Sequence, residues 1–135
     1  MLMSDLPKLK ARIDSDLSIN EGNVLKKSLD QPILYHTYLD LFMAEMRELK
    51  KCGVEKDKVY GALYEKYKFN HSQVLDSKGE IEAWIKSDSK YVDCVSRFNE
   101  QEIVCKYLEG VVESISKLSF SIKNFIEYKK FLSGS

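Results

Sequence analysis

The sequence predicts an all-α protein, and three observations carry that reading. No stretch sustains the period-2 alternation of a half-buried strand. Only two prolines and six glycines punctuate 135 residues. Val104, Leu108, Val111, Ile115, Leu118, Ile122 and Phe125 recur at spacings of 4, 3, 4, 3, 4 and 3, an apolar helical seam sustained over three heptads.

Taken in order, Ser4 and Asp5 can cap a short helix with Pro7 in its first turn, running to about Leu17 with Leu6, Leu9 and Ile13 on one side. Asn20 to Asn23, with Gly22, reads as a turn. Val24 to Leu29 reads as a short helix that stops before Pro32, because the residue preceding a proline avoids helical dihedrals. From Pro32 the pattern strengthens. Leu34, Tyr35, Tyr38, Leu39, Phe42, Met46 and Leu49 follow at helical spacing, which predicts a helix over 33–52. Cys52-Gly53 is expected to close it, with glycine in the left-handed cap and Lys50 and Lys51 at the negative helix end.

A second helix is expected from about Glu55 to Lys68, with Val59, Leu63, Tyr64 and Tyr67 on one side, making an antiparallel hairpin with the first. Residues 69–77 are polar and read as a loop. Glu80 to Lys86 reads as a short helical segment with Ile81, Trp84 and Ile85 apolar. Asp88 then caps a long C-terminal helix through Tyr91, Val92, Val95 and Phe98 into the seam, with four serines from Ser114 to Ser121 able to bend it near Leu118.

The C-terminal stretch organises these elements. Cys105, Tyr107, Val112, Phe120, Ile126, Tyr128, Phe131 and Leu132 fall outside the seam, so 15 of the 29 residues from Val104 to Leu132 are apolar. A helix packed on one layer needs an apolar stripe only about 100° wide. At about 1.5 Å per residue those 29 residues would run roughly 44 Å, against a diameter below roughly 40 Å for a compact chain of this size. The expectation is a single helical domain, 1–135, in which 1–88 carries the hairpin and 89–135 is an oligomerisation region. The oligomer contacts are assigned to Val104, Leu108, Val111, Ile115, Leu118, Ile122, Phe125 and Phe131.

Composition bounds the function. Lys plus Arg and Asp plus Glu both number 21, for a formal net charge of zero, so a general polyanion sponge is excluded. The distribution is uneven: Arg47, Lys50, Lys51, Lys56, Lys58, Lys66 and Lys68 face only four acids between residues 47 and 68. Residues 1–20 contain no signal-peptide core and no apolar run approaches a membrane span. Cys52, Cys94 and Cys105 are odd in number and share no close spacing, which fits a reducing cytoplasm.

No catalytic constellation is present, and the chain reads as a binder, not an enzyme. His36 and His71 lie far apart in sequence with no paired cysteine at zinc-ligand spacing. The glycines are isolated and no phosphate loop occurs, so neither metal nor cofactor is expected. The segment with binding chemistry is Lys56 to Phe69. There Lys56, Lys58, Lys66 and Lys68 interleave with Tyr60, Tyr64, Tyr67 and Phe69. Unpaired strands are held by cations along phosphates and aromatic faces under bases. The same lysines also fit a solvated face over core tyrosines, and the zero net charge also fits a helical homo-oligomeric adaptor that binds no nucleic acid.

The order of features resembles the UvsY family of recombination mediators from T-even-like bacteriophages. The C-terminal pattern falls on Phe120, Ile122, Lys123, Phe125, Glu127, Lys129, Phe131 and Gly134. A Leu-Tyr-x-x-aromatic-Leu run falls on Leu34, Tyr35, Tyr38 and Leu39, and a Lys-x-Glu with a following Asp on Lys78, Glu80 and Asp88. The resemblance implies a non-enzymatic, ring-like hexamer or heptamer closed through its C-terminal region and acting in the host cytoplasm. It also implies binding of single-stranded DNA, a RecA-like recombinase and a phage single-strand-binding protein. The family's basic Lys-Ala-Arg stretch falls on Tyr60, Gly61 and Ala62, none of them basic, so those contacts do not carry over. The expected DNA-binding set is therefore Lys56, Lys58, Tyr60, Tyr64, Lys66, Tyr67 and Lys68.

Overall fold

The computed structural model describes Met1, residues 3–70 and residues 78–134. Among the described residues there are five α-helices and no strand. A 3-10 turn, Met3–Asp5, leads into α1 (Leu6–Leu17), followed by α2 (Val24–Glu65), a π-helical turn (Lys66–Asn70), α3 (Lys78–Ser87), α4 (Ser89–Ser116) and α5 (Leu118–Leu132). The expected loop over 69–77 lies mostly outside the described residues, and His71 with it. No helix among the described residues is long and apolar enough to cross a membrane.

The turn between α1 and α2 is built by two asparagines. The Asn23 amide donates to Asn20 Oδ1 at 3.0 Å, and the Asn20 amide donates to Asn23 Oδ1 at 2.8 Å. This reciprocal cap satisfies two amides that the start of α2 leaves without helical partners. The Lys27 ammonium reaches back to the carbonyls of Ser15 (2.9 Å) and Asp16 (2.7 Å), placing a cation at the negative end of α1. Glu21 pairs with Lys129, which ties the same turn to α5.

Two expected helix ends are absent. Helix α2 runs without interruption through Pro32 and through Gly53, so the hairpin of helices 33–52 and 55–68 does not form. Pro32 has no amide to give the Ser28 carbonyl, a loss of about 3 kcal/mol in an isolated helix. Tertiary packing overrides it: Gln31 donates to the Ile115 carbonyl at 3.0 Å, and Leu34, Tyr35 and Tyr38 enter the core just beyond. Gly53 keeps helical dihedrals; among the described glycines only Gly134, just after α5, has a positive φ, at 77°. Phe98 lies over Gly53, where an added Cβ would stand 3.5 Å from its ring.

The other boundaries follow the sequence closely. Asp88 separates α3 from α4, its Oδ1 accepting the Lys90 amide at 2.9 Å. The serine-rich stretch interrupts the C-terminal helix at Lys117. There Ser114 and Ser116 donate their hydroxyls to the carbonyls of Gly110 (3.0 Å) and Glu113 (2.6 Å), competing with the backbone ladder.

The chain divides into two compact units, Met1–Glu45 with Val104–Ser135, and Met46–Ile103. In the first, Leu9, Ile13, Tyr38, Val104, Leu108, Val111 and Ile115 form the buried core. The Tyr38 hydroxyl donates to Asp16 Oδ2 at 2.6 Å, and burial first, then this carboxylate, pushes the phenol well above its ordinary value. In the second, the core is Leu63, Tyr67, Ile81 and Ile85, with Val59, Tyr60, Tyr64 and Tyr91 against it. Contacts of 53 with 98, 60 with 91 and 67 with 88 run in opposite senses along the chain, so α2 and α4 pair antiparallel here.

The seam is largely spent within this one chain. Val104, Leu108, Val111, Ile115, Leu118 and Ile122 are all buried by this chain itself. Of the residues assigned to oligomer contacts, only Phe125 stays half-buried and Phe131 exposed, at 77 %.

Candidate nucleic-acid interface

Helix α2 approaches its end with an inward stripe of Val59, Leu63 and Tyr67, four residues apart. Positions one residue before each stripe member point outward, and Lys58, Ala62 and Lys66 are exposed there. The helix then widens to π geometry over Lys66–Asn70, turning Tyr67 inward while Lys66, Lys68 and Phe69 stay in solvent. Phe69 is 68 % exposed. The Lys68 ammonium lies 5.3 Å from the Phe69 ring and 5.7 Å from that of Tyr64. A cation beside two aromatic faces, one of them open to water, is the combination that grips an unpaired strand.

Not every residue of the expected set belongs to this surface. Tyr67 is core: it is 7 % exposed and its hydroxyl donates to Asp88 Oδ2 at 2.6 Å. No face of it is open for a base. The hydrogen bond from Tyr67 holds the Asp88 carboxyl below the usual carboxylate value, with the Lys90 amide and the Lys66 and Lys90 charges acting in the same sense. The same bond, with burial, raises the Tyr67 phenol. Lys56 is half-buried, its ammonium 4.2 Å above the Phe98 ring, so its charge is engaged inside the protein. Tyr60 is half-buried and meets Tyr91 edge-on at 5.7 Å, and Tyr64 is half-buried against the same core. Lys58, Lys66 and Lys68 remain as exposed cations, with Tyr60 and Tyr64 half-buried beside them.

Residue-type counting gave Phe69 no more weight than its buried neighbours, and missed Trp84 on α3. Trp84 is 42 % exposed, and its ring lies 5.7 Å from that of Tyr67. The available signal was its place beside Ile85, on the flank of the inward stripe that Ile81 and Ile85 define.

Elsewhere in this unit, Glu48, Lys51, Cys52, Glu55, Cys94 and Arg97 line a cleft of about 310 Å³. None of the three cysteines is in a disulfide. Among the described residues no three His, Cys, Asp or Glu side chains are grouped to hold a metal. His36 is exposed on α2, edge-on to Tyr35 at 5.4 Å.

Comparison with solved structures finds the same fold in the recombination mediator protein UvsY of bacteriophage T4. One crystal form matches with a TM-score of 0.83 at 16% identity, covering 98% of both chains. A second matches at 0.82 and 16% identity, covering 93% of this chain and 97% of that one. No curated protein sequence matches. The model of the UvsY family, described as recombination, repair and ssDNA binding protein UvsY, matches residues 12–135. Matched over nearly its whole length, the chain belongs to the UvsY family of recombination, repair and single-stranded-DNA-binding proteins.

Proposed function

We propose that this chain binds single-stranded DNA on the surface formed by Lys58, Lys66, Lys68 and Phe69. There it acts as a mediator that starts a RecA-like recombinase on strands coated by single-strand-binding protein, in the cytoplasm of an infected host cell. The observation that carries the reading is the close grouping of Lys68 with the exposed Phe69 ring and the half-buried Tyr64 ring, in a chain of the UvsY family. The basic stretch that family members carry is replaced here by Tyr60, Gly61 and Ala62, and the lysines flanking it on the same helix and turn supply the charge.

One such patch is weak, because Glu65 and Asp57 lie among the lysines. Several patches on one strand gain affinity through effective concentration, so the mechanism includes a ring-like homo-oligomer. The surface left to build it is the outer side of α5, where Phe120, Ile126, Tyr128, Phe131 and Leu132 are exposed, with Leu25, Leu29 and Ile33 one helical turn apart on α2. Exposed apolar groups in this number mark association surfaces.

A gel shift comparing single strand with duplex, run beside a light-scattering mass, tests the reading. A preference for single strand in a particle several times 15.7 kDa supports it. A particle of one chain with no such preference removes it.

A further inference from the structure

Trp84 is the sole tryptophan of the chain, and the surface described above leaves it unused. Ile81 and Ile85 take the buried side of α3, and Trp84 flanks them with 42 % of its surface in water. Its inner side is supported. The ring of Tyr67 lies 5.7 Å away, tilted by 51°, and Tyr67 is itself fixed through its hydroxyl on Asp88. The Lys66 ammonium is 5.3 Å from that same Tyr67 ring. An indole backed by an anchored ring, with a cation against the same backing, is rigid before any ligand arrives, so little freedom is lost on contact.

With 42 % of its surface in water, the indole can take a flat apolar partner. The charge nearby decides which. Lys66 and Lys68 are both exposed on the adjoining π turn, and Lys68 stands beside the open Phe69 ring. An anionic ligand with flat apolar faces fits both features at once, and an unpaired DNA strand is such a ligand. An acidic protein segment would satisfy the lysines but has no need of the indole face.

We propose that Trp84 is a base-stacking residue: an unpaired base lies on the exposed part of its indole while the neighbouring phosphates meet Lys66 and Lys68. The single-strand surface thereby extends from α2 onto α3. The proposal rests on the DNA-binding surface proposed above. Stacking is tolerant of base identity, so the strand is read by its single-strandedness at this point and not by its sequence.

Because Trp84 is the sole tryptophan, indole emission excited beyond the tyrosine absorption band reports this site only. Fluorescein-labelled oligothymidylate is titrated at low salt, with label anisotropy for binding and indole emission for stacking followed in one cuvette. The expected result is quenching that rises in step with anisotropy, reverses with added sodium chloride, and is absent with a duplex of equal length. Trp84→Leu should weaken binding about tenfold, and Trp84→Phe should recover most of it, with unchanged far-UV circular dichroism in both. Full anisotropy with unaltered emission, or Trp84→Leu binding as tightly as the parent, overturns the role of Trp84 and leaves the lysine surface standing. No rise in anisotropy overturns both.

Discussion

Tyr67 donates its hydroxyl hydrogen to Asp88 across 2.6 Å, joining the turn that ends α2 to the cap that begins α4. The bond has a charged acceptor and a buried donor ring, so it is worth roughly 2 kcal/mol. Tyr67→Phe should lower the urea midpoint accordingly, and any loss of DNA affinity should come only through the loosened backing of Trp84, since Tyr67 itself is buried. The pH dependence has a defined sign. Asp88 is lowered from 3.8, so its stabilisation is present above pH 4 and is lost as pH falls through the folded value. Tyr67 is raised from 10.0, so its share is present below pH 10 and is lost as pH rises through the folded value. The difference between parent and variant should therefore be constant from pH 5 to 9 and shrink at pH 3. A difference that persists undiminished at pH 3 would contradict the assignment.

Lys66 and Lys68 differ from Lys56 in where their charge points. Lys66→Ala and Lys68→Ala should each lower single-strand affinity and reduce the salt slope by about 0.7. Lys56→Ala should leave the slope as it is and instead cost about 1 kcal/mol of folding stability, by losing its contact with Phe98. Binding isotherms at four salt concentrations, beside urea melts, separate the two classes.

Ala62 is exposed on the outward side of α2, between Lys58 and Lys66. Ala62→Arg adds a cation between two exposed lysines of the proposed surface. It should tighten single-strand binding several-fold at low salt and steepen the salt slope by about 0.7, at little cost in a helix position that arginine suits. An unchanged isotherm would move the DNA path off this side of the helix.

Ile115 and Phe131 lie on the same C-terminal stretch with opposite surroundings. Ile115 is wholly buried and Phe131 is exposed. Ile115→Asp places a charge in the first unit's core and should cost about 4 kcal/mol or more, unfolding that unit whatever the assembly state. Phe131→Asp should leave the helical signal intact and lower the light-scattering mass. Wild-type mass in Phe131→Asp would exclude this part of α5 from the assembly contact.

What was legible in the sequence divides along physical lines. The seam from Val104 to Ile122 was readable because burial imposes a 3–4 spacing on whichever residues face a core, and Asp88 was readable because a short carboxylate accepts the first free amides of a helix. What the seam packs against was not readable. Spacing says that a side is covered and not by which chain, and the coverage comes from α1 and α2 of the same protomer. Pro32 and Gly53 misled for a related reason. Their local penalties are real, but they are outweighed by Gln31, Tyr38 and Phe98, whose partners Ile115, Asp16 and Gly53 all lie more than twenty residues away along the chain. At the candidate site, the lysine-tyrosine interleaving singled out the segment that the structure builds into an exposed basic surface at Lys58, Lys66 and Lys68. Sorting Tyr67 and Lys56 from Phe69 and Lys66 required the inward stripe to be fixed by Ile81 and Ile85, which belong to another helix.

Helix α1 meets the first core through only two buried side chains, Leu9 and Ile13, and a groove of about 430 Å³ runs beside it, lined by Ile13, Leu17, Tyr107 and Val111 among others. Regions with few buried contacts open locally long before the whole molecule does. The amide hydrogens of α1 should thus exchange with solvent well ahead of those of α4. Each such opening bares a trough of valine and leucine along α4, an uncovered strip that survives only as long as the reclosing of a twelve-residue helix allows.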